Sequence, residues 1–164
     1  MSVRWLSRIL LLLLLASTQC HALLRDATPK DSYESLQQNG PTSRGAAGCS
    51  IQMRTDTAGI DFNDYLRVAY LSVKKRWLAN LPGSVEKGQQ GFNAVEFHVL
   101  QDGSVPKDSV KMVTSSEKSD FDSASLRAIQ EATPFNHLPE KFPKPFIVLR
   151  FTFYYNQPIP RTPR

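Results

Sequence analysis

Cysteine is nearly absent from this chain, with only Cys20 and Cys49 among 164 residues. Two thiols allow at most one bridge and leave no cysteine pair for a zinc site. Histidine is almost as scarce. His21, His98 and His137 are far apart, and no two have metal-ligand spacing. No glycine-rich phosphate loop and no nucleophile elbow occurs. Asp120 and Asp122 are spaced as capping and dipole-stabilising residues of a helix N-terminus would be. Together these gaps point to a non-enzyme without metal or cofactor. Long apolar runs are missing too: the longest, residues 9–16, has eight residues, against roughly 20 for a membrane-spanning helix. No internal repeat is found.

What is present is the composition of one globular domain. A 41% share of hydrophobic residues in a chain of this length is enough to bury a single core. The first residues read as an export signal, with Arg4 and Arg8 ahead of the apolar run and the small or polar "STQCHA" after it. Cleavage is expected after Ala22. Retention as a short inner-membrane anchor and lipid attachment at Cys20 are the alternatives. Loss of Arg4 and Arg8 lowers the formal charge from +5 to +3, a scattered excess that excludes nucleic acid as the partner. Cleavage also leaves Cys49 alone, as a free thiol or one available for an intermolecular bridge.

Residues 23–57 are rich in Ser, Gly, Gln, Pro and Thr without sustained apolar period, and read as a disordered spacer. The ordered domain is expected over 58–156, followed by a flexible tail at 157–164. In "DFNDYLRVAYLSVKKRWLANLP" the residues Phe62, Leu66, Ala69, Val73 and Trp77 share a helix face, with Asp61 as cap and Pro82 as stop. The cationic Lys74, Lys75 and Arg76 lie where the helix dipole favours them. Val95, Phe97 and Val99 then alternate with polar partners as a strand, and Asp102-Gly103 turns the chain into a returning strand within 105–115. Either Val110 with Met112 or Lys111 with Val113 faces inward there.

A second helix follows, capped by Ser119 or Asp120, with Phe121, Leu126, Ile129 and Ala132 on its apolar stripe and Pro134 as its stop. "FNHLPEKFPKP" is irregular because of its three prolines. The last strand, "LRFTFYYN", puts Leu149, Phe151, Phe153 and Tyr155 on one side. The order α-β-β-α-β predicts an α+β two-layer sandwich: a three-stranded antiparallel sheet with both helices on one face. With nothing beyond it to pair, the last strand is expected at the sheet edge.

"VEFHVLQDGSV", "VTSSEKSDFDSASLRAIQEATPFNHLP" and "LRFTFYYN" in this order resemble the C-terminal domain of the TonB family of energy transducers. The matching positions are Asp102, Gly103, Ser115, Ser116, Asp122, Ala124, Leu126, Ala128, Ile129, Pro134, Phe135, Leu138, Pro139 and residues 150–153. Glu117 stands where the family has glycine. The resemblance implies a periplasmic module that grips an extended segment of an outer-membrane transporter or other envelope protein by strand addition. The docking strand would present Val148, Arg150, Thr152 and Tyr154. Two other roles are a directly anchored transducer of the inner membrane and a homodimer paired through the last strand, with Cys49 as a lock. The membrane is a partner only if the N-terminus is retained.

Overall fold

The computed structural model describes residues 47–160. The export signal with Ala22 and Cys20, residues 23–46 of the spacer, and 161–164 of the tail lie outside the described residues. In chain order the elements are β1 (Gly48–Met53), α1 (Asn63–Ala79), a one-turn α2 (Gly83–Glu86), β2 (Gly91–Leu100), a 3-10 turn (Lys107–Ser109), β3 (Lys111–Thr114), α3 (Ser119–Ala132) and β4 (Phe146–Tyr155). They form a two-layer α+β fold, with a four-stranded antiparallel sheet in the order β1-β4-β2-β3.

Helix α1 forms where the apolar period predicts it. Asp61 Oδ1 accepts the Asn63 N–H at 2.8 Å at its start, and Leu66, Ala69, Tyr70, Val73 and Trp77 are buried. Pro82 ends the segment, but the loop after it contains α2, a turn too short for periodicity to reveal. Helix α3 buries Phe121, Ala124, Ser125, Ala128, Ile129 and Ala132, so its inner face is wider than the stripe of large residues alone.

Val110 and Met112 pack against the core, whereas Lys111 and Val113 are exposed. A bulge between Ala94 and Val95 decides this, pairing Val95 with Met112.

Ile147, Leu149, Phe151, Phe153 and Tyr155 of β4 are fully buried. Trp77 packs on Phe153 and Tyr155 with ring centroids 5.2 Å from each. The polar atoms of this ring cluster are paired: Trp77 Nε1–H donates to the Tyr155 hydroxyl at 2.9 Å, which donates to the Phe121 carbonyl at 2.8 Å. The irregular loop after α3 contributes Phe135, Leu138 and Phe142 to the same core. It is tied to the hairpin by Phe135 N–H to the Gly103 carbonyl, 2.9 Å, and Leu138 N–H to the Gln101 carbonyl, 3.0 Å.

Two expectations are corrected here. The sheet has four strands, because "GCSIQM", read as part of the spacer, forms β1. And β4 is interior: β1 pairs along one side of it and β2 along the other. The edge assignment for Val148, Arg150, Thr152 and Tyr154 therefore does not hold in this structure. Cys49 and Ile51, two residues apart, complete the core beside Phe153 and Phe151 and draw β1 onto β4. With β1 in place, β4 offers no free edge for self-pairing. Part of the tail is also engaged: a Cβ on Gly48 would lie 2.8 Å from Ile159 Cδ1, so Ile159 packs against β1 at that glycine.

Candidate functional site

The site is the long side of β4 that β1 covers. Backbone groups of an antiparallel strand point alternately to its two neighbours. Arg54 N–H donates to the Val148 carbonyl at 2.8 Å, which assigns the even residues of β4 to the β1 side. Hence Val148, Arg150, Thr152 and Tyr154 turn their backbone donors and acceptors towards β1, in register with Arg54, Gln52, Ser50 and Gly48. At the end of the ladder the Thr55 hydroxyl accepts the Val148 N–H at 2.7 Å. The sequence reading named these four residues as a free edge, whereas here they pair with β1.

The side chains of the same four residues are half-buried on the sheet face opposite the helices. Arg150 is engaged there, its guanidinium lying 2.6 Å from Glu96 Oε1, with Arg54 3.7 Å from the same oxygen. At one end of this face Tyr154 stacks with Phe92, centroids 6.3 Å apart, and at the other His98 stacks with Phe146 at 4.4 Å.

On the inner side, Cys49 and Ile51 are shielded from solvent. Burial pushes the Cys49 thiol up to about 12, a shift that nearby Lys74 and the Tyr70 hydroxyl only partly oppose. Burial and the adjoining thiol also raise the Tyr70 phenol. With β1 seated, the Cys49 thiol is buried and its thiolate disfavoured, so it is not presented for an intermolecular bridge in this conformation. In the native chain at pH 8, N-ethylmaleimide is expected to modify Cys49 at least about a hundredfold more slowly than in guanidinium-unfolded chain, as read by peptide mass mapping. Equal rates would show that β1 is not held as described.

A second cluster joins β3, α3 and β2. Asp122 accepts the Ser115 hydroxyl at 2.5 Å, the Ser116 N–H at 2.9 Å, the Ser116 hydroxyl at 2.7 Å and Asn93 Nδ2–H at 2.9 Å. Burial alone would raise its carboxyl, but these hydrogen bonds hold it below the ordinary carboxylate range. Both serines point their hydroxyl protons at a carboxylate in this clasp, which orders the turn before α3. Glu117 in that turn adopts φ 61°, in the left-handed region that favours glycine. Asn93 is the member that sequence reasoning missed, because a polar residue at a strand start reads as exposed until the sheet buries it.

Among the described residues no group of His, Cys, Asp and Glu could hold a metal ion, and no helix is long and apolar enough to cross a membrane.

The family model for the TonB C terminal matches residues 64–153, and the chain belongs to that family, whose members are non-enzymatic, partner-binding domains of envelope transport. It is similar to the NMR solution structure of Helicobacter pylori TonB-CTD, with 22% identity over 62% of this chain and 88% of that one and a TM-score of 0.42. Comparison with curated proteins found no match.

Proposed function

We propose that this chain is an exported, periplasmic binding module that docks an extended segment of an outer-membrane transporter, or another envelope protein, by strand addition along β4. One observation carries this reading. The family-matched residues 64–153 include α1, β2, β3 and α3 and most of β4, but not β1. Without β1, the even side of β4 would be a sheet edge, and in this chain that side accepts an antiparallel strand over six residue pairs. Backbone hydrogen bonds supply affinity at such an edge, while alternate side chains select the partner. Thr152 and Tyr154 lie beside the incoming strand, and Arg150 joins them through the Glu96 pair.

The test uses ten-residue peptides tiled across the periplasm-facing segments of outer-membrane transporters from the same cell, titrated calorimetrically into the full chain. Peptides that bind are expected to lose affinity about tenfold or more when two alternate amides are N-methylated, since each lost ladder bond costs about 0.5–1.5 kcal/mol. Absence of binding by every peptide, or indifference to N-methylation, would sink strand addition.

A further inference from the structure

We infer that β1 is a resident strand: it occupies the docking side of β4 in cis, and an extended partner segment binds by taking its place. This rests on the reading of β4 as the docking strand.

The attachment of β1 is of a kind that can be exchanged. It lies outside the family-matched residues, whereas every other strand lies within them or ends just beyond. It joins α1 through residues 54–61, a link ending at the buried Phe62 that can extend to roughly 25 Å and so lets the strand move off without disturbing the helix. Along that link Gly59 has φ 77° and nothing within 4 Å of its Cβ position. The strand seats only two fully buried side chains, Cys49 and Ile51. Beyond its ladder with β4, its other ties lie at its ends and along the link, among them Arg54 3.7 Å from Glu96 and Lys144 3.6 Å from Asp56. Lys144 Nζ donates to the Asp56 carbonyl at 3.0 Å, Thr55 caps Val148, and Ile159 lies against Gly48.

The seat also states which segment fits. Phe153, Phe151 and Leu149 stand opposite the three inward positions, those of Cys49, Ile51 and the partly buried Met53. The Cys49 position adjoins the Tyr70 hydroxyl and Lys74, and so takes a small residue that tolerates a polar neighbour. The Ile51 position takes a branched aliphatic residue. A partner segment is therefore extended, with a small, a branched aliphatic and a further apolar residue at alternate inward positions and polar residues between them facing out.

The experiment uses the full chain and, as probe, a fluorescein-labelled peptide of residues 47–55 carrying Cys49→Ala, read by anisotropy. Two variants loosen β1 without altering β4. Ser50→Pro removes a donor that the ladder alternation directs at Thr152, and Ile159→Ala removes the contact at Gly48. A third variant, Ser50→Cys with Thr152→Cys, locks the strand, because paired residues of this type have Cα atoms about 5.5 Å apart, within disulfide range. Ser50→Pro is expected to bind the probe at least tenfold more tightly than the natural chain, with Ile159→Ala between them. The oxidised lock should not bind, and dithiothreitol should restore binding. Peptide binding should also speed alkylation of Cys49 in the natural chain. Equal affinity for the natural chain and the oxidised lock would overturn the inference, leaving strand addition at another edge intact. A folded Ser50→Pro chain that binds neither this probe nor any transporter peptide would overturn the docking reading itself. If Ser50→Pro does not fold, Ile159→Ala against the lock gives the same comparison.

Discussion

Gly103→Ala is expected to lower the melting temperature by roughly 20 °C or to prevent soluble expression, through a loss of about 4 kcal/mol or more. Gly103 sits at φ 80°, and a Cβ there would lie 2.0 Å from the Phe135 carbonyl oxygen and 2.9 Å from that of Asn136. Neither obstacle is a flexible side-chain end. The hairpin turn and the loop after α3 would have to separate, breaking the Phe135 N–H bond to Gly103 and disturbing Leu138 N–H on Gln101. Those bonds seat Phe135 and Leu138, which are 7% and 3% exposed, so the damage reaches the core. Gly88→Ala is the control. Its φ is 79° with nothing within 4 Å of the Cβ position, so it carries only the left-handed penalty of about 1–2 kcal/mol. Thermal melts followed by circular dichroism compare the two. If both variants melt together, the close approach of the two loops is not what requires glycine at 103.

Asp122→Ala is expected to cost about 3 kcal/mol, or on the order of 15 °C in melting temperature. The substitution removes the acceptor of four hydrogen bonds and leaves Asn93 Nδ2 without its partner at a fully buried residue, whose Oδ1 already has no partner among the described residues. An orphaned buried donor loses its full solvation, so the cost exceeds that of the bonds at an exposed site. Asp122→Asn keeps the shape but not the charge and should fall between the two.

The acid behaviour follows from the depressed carboxyl. A group whose folded value lies below its unfolded one stabilises the fold fully above the unfolded value, near pH 4, and loses that contribution as pH falls through the folded value. The natural chain should therefore lose stability in acid more steeply than Asp122→Ala. Chemical denaturation at pH 7 and at pH 2–3 should show the gap between them shrinking. A gap that stays constant with pH would mean that the carboxylate charge is not what holds the clasp.

Much of this architecture was legible from local patterns. The period of α1 named its buried residues, the Asp-Gly pair located the hairpin, and the alternation in "LRFTFYYN" identified the inward face of β4. The motif residues Ser115, Ser116 and Asp122 could be assigned to a family, though not to a clasp, since their convergence on one carboxylate depends on α3 starting directly above β2 and the turn. What stayed hidden was pairing. β1 alternates only three apolar residues, Cys49, Ile51 and Met53, with small and polar neighbours, and such a short alternation does not stand out from spacer composition. A residue's periodicity records which face it turns to the core. It does not record which strand satisfies the backbone on either side, because every strand offers the same N–H and C=O groups. The sequence by itself therefore determined the faces of the helices and strands and the turns between them. Only the tertiary structure decided that β4 lies inside the sheet and that Cys49 is sealed in the core, because both depend on β1 arriving from outside the family-matched region to cover apolar surface left on Phe151 and Phe153.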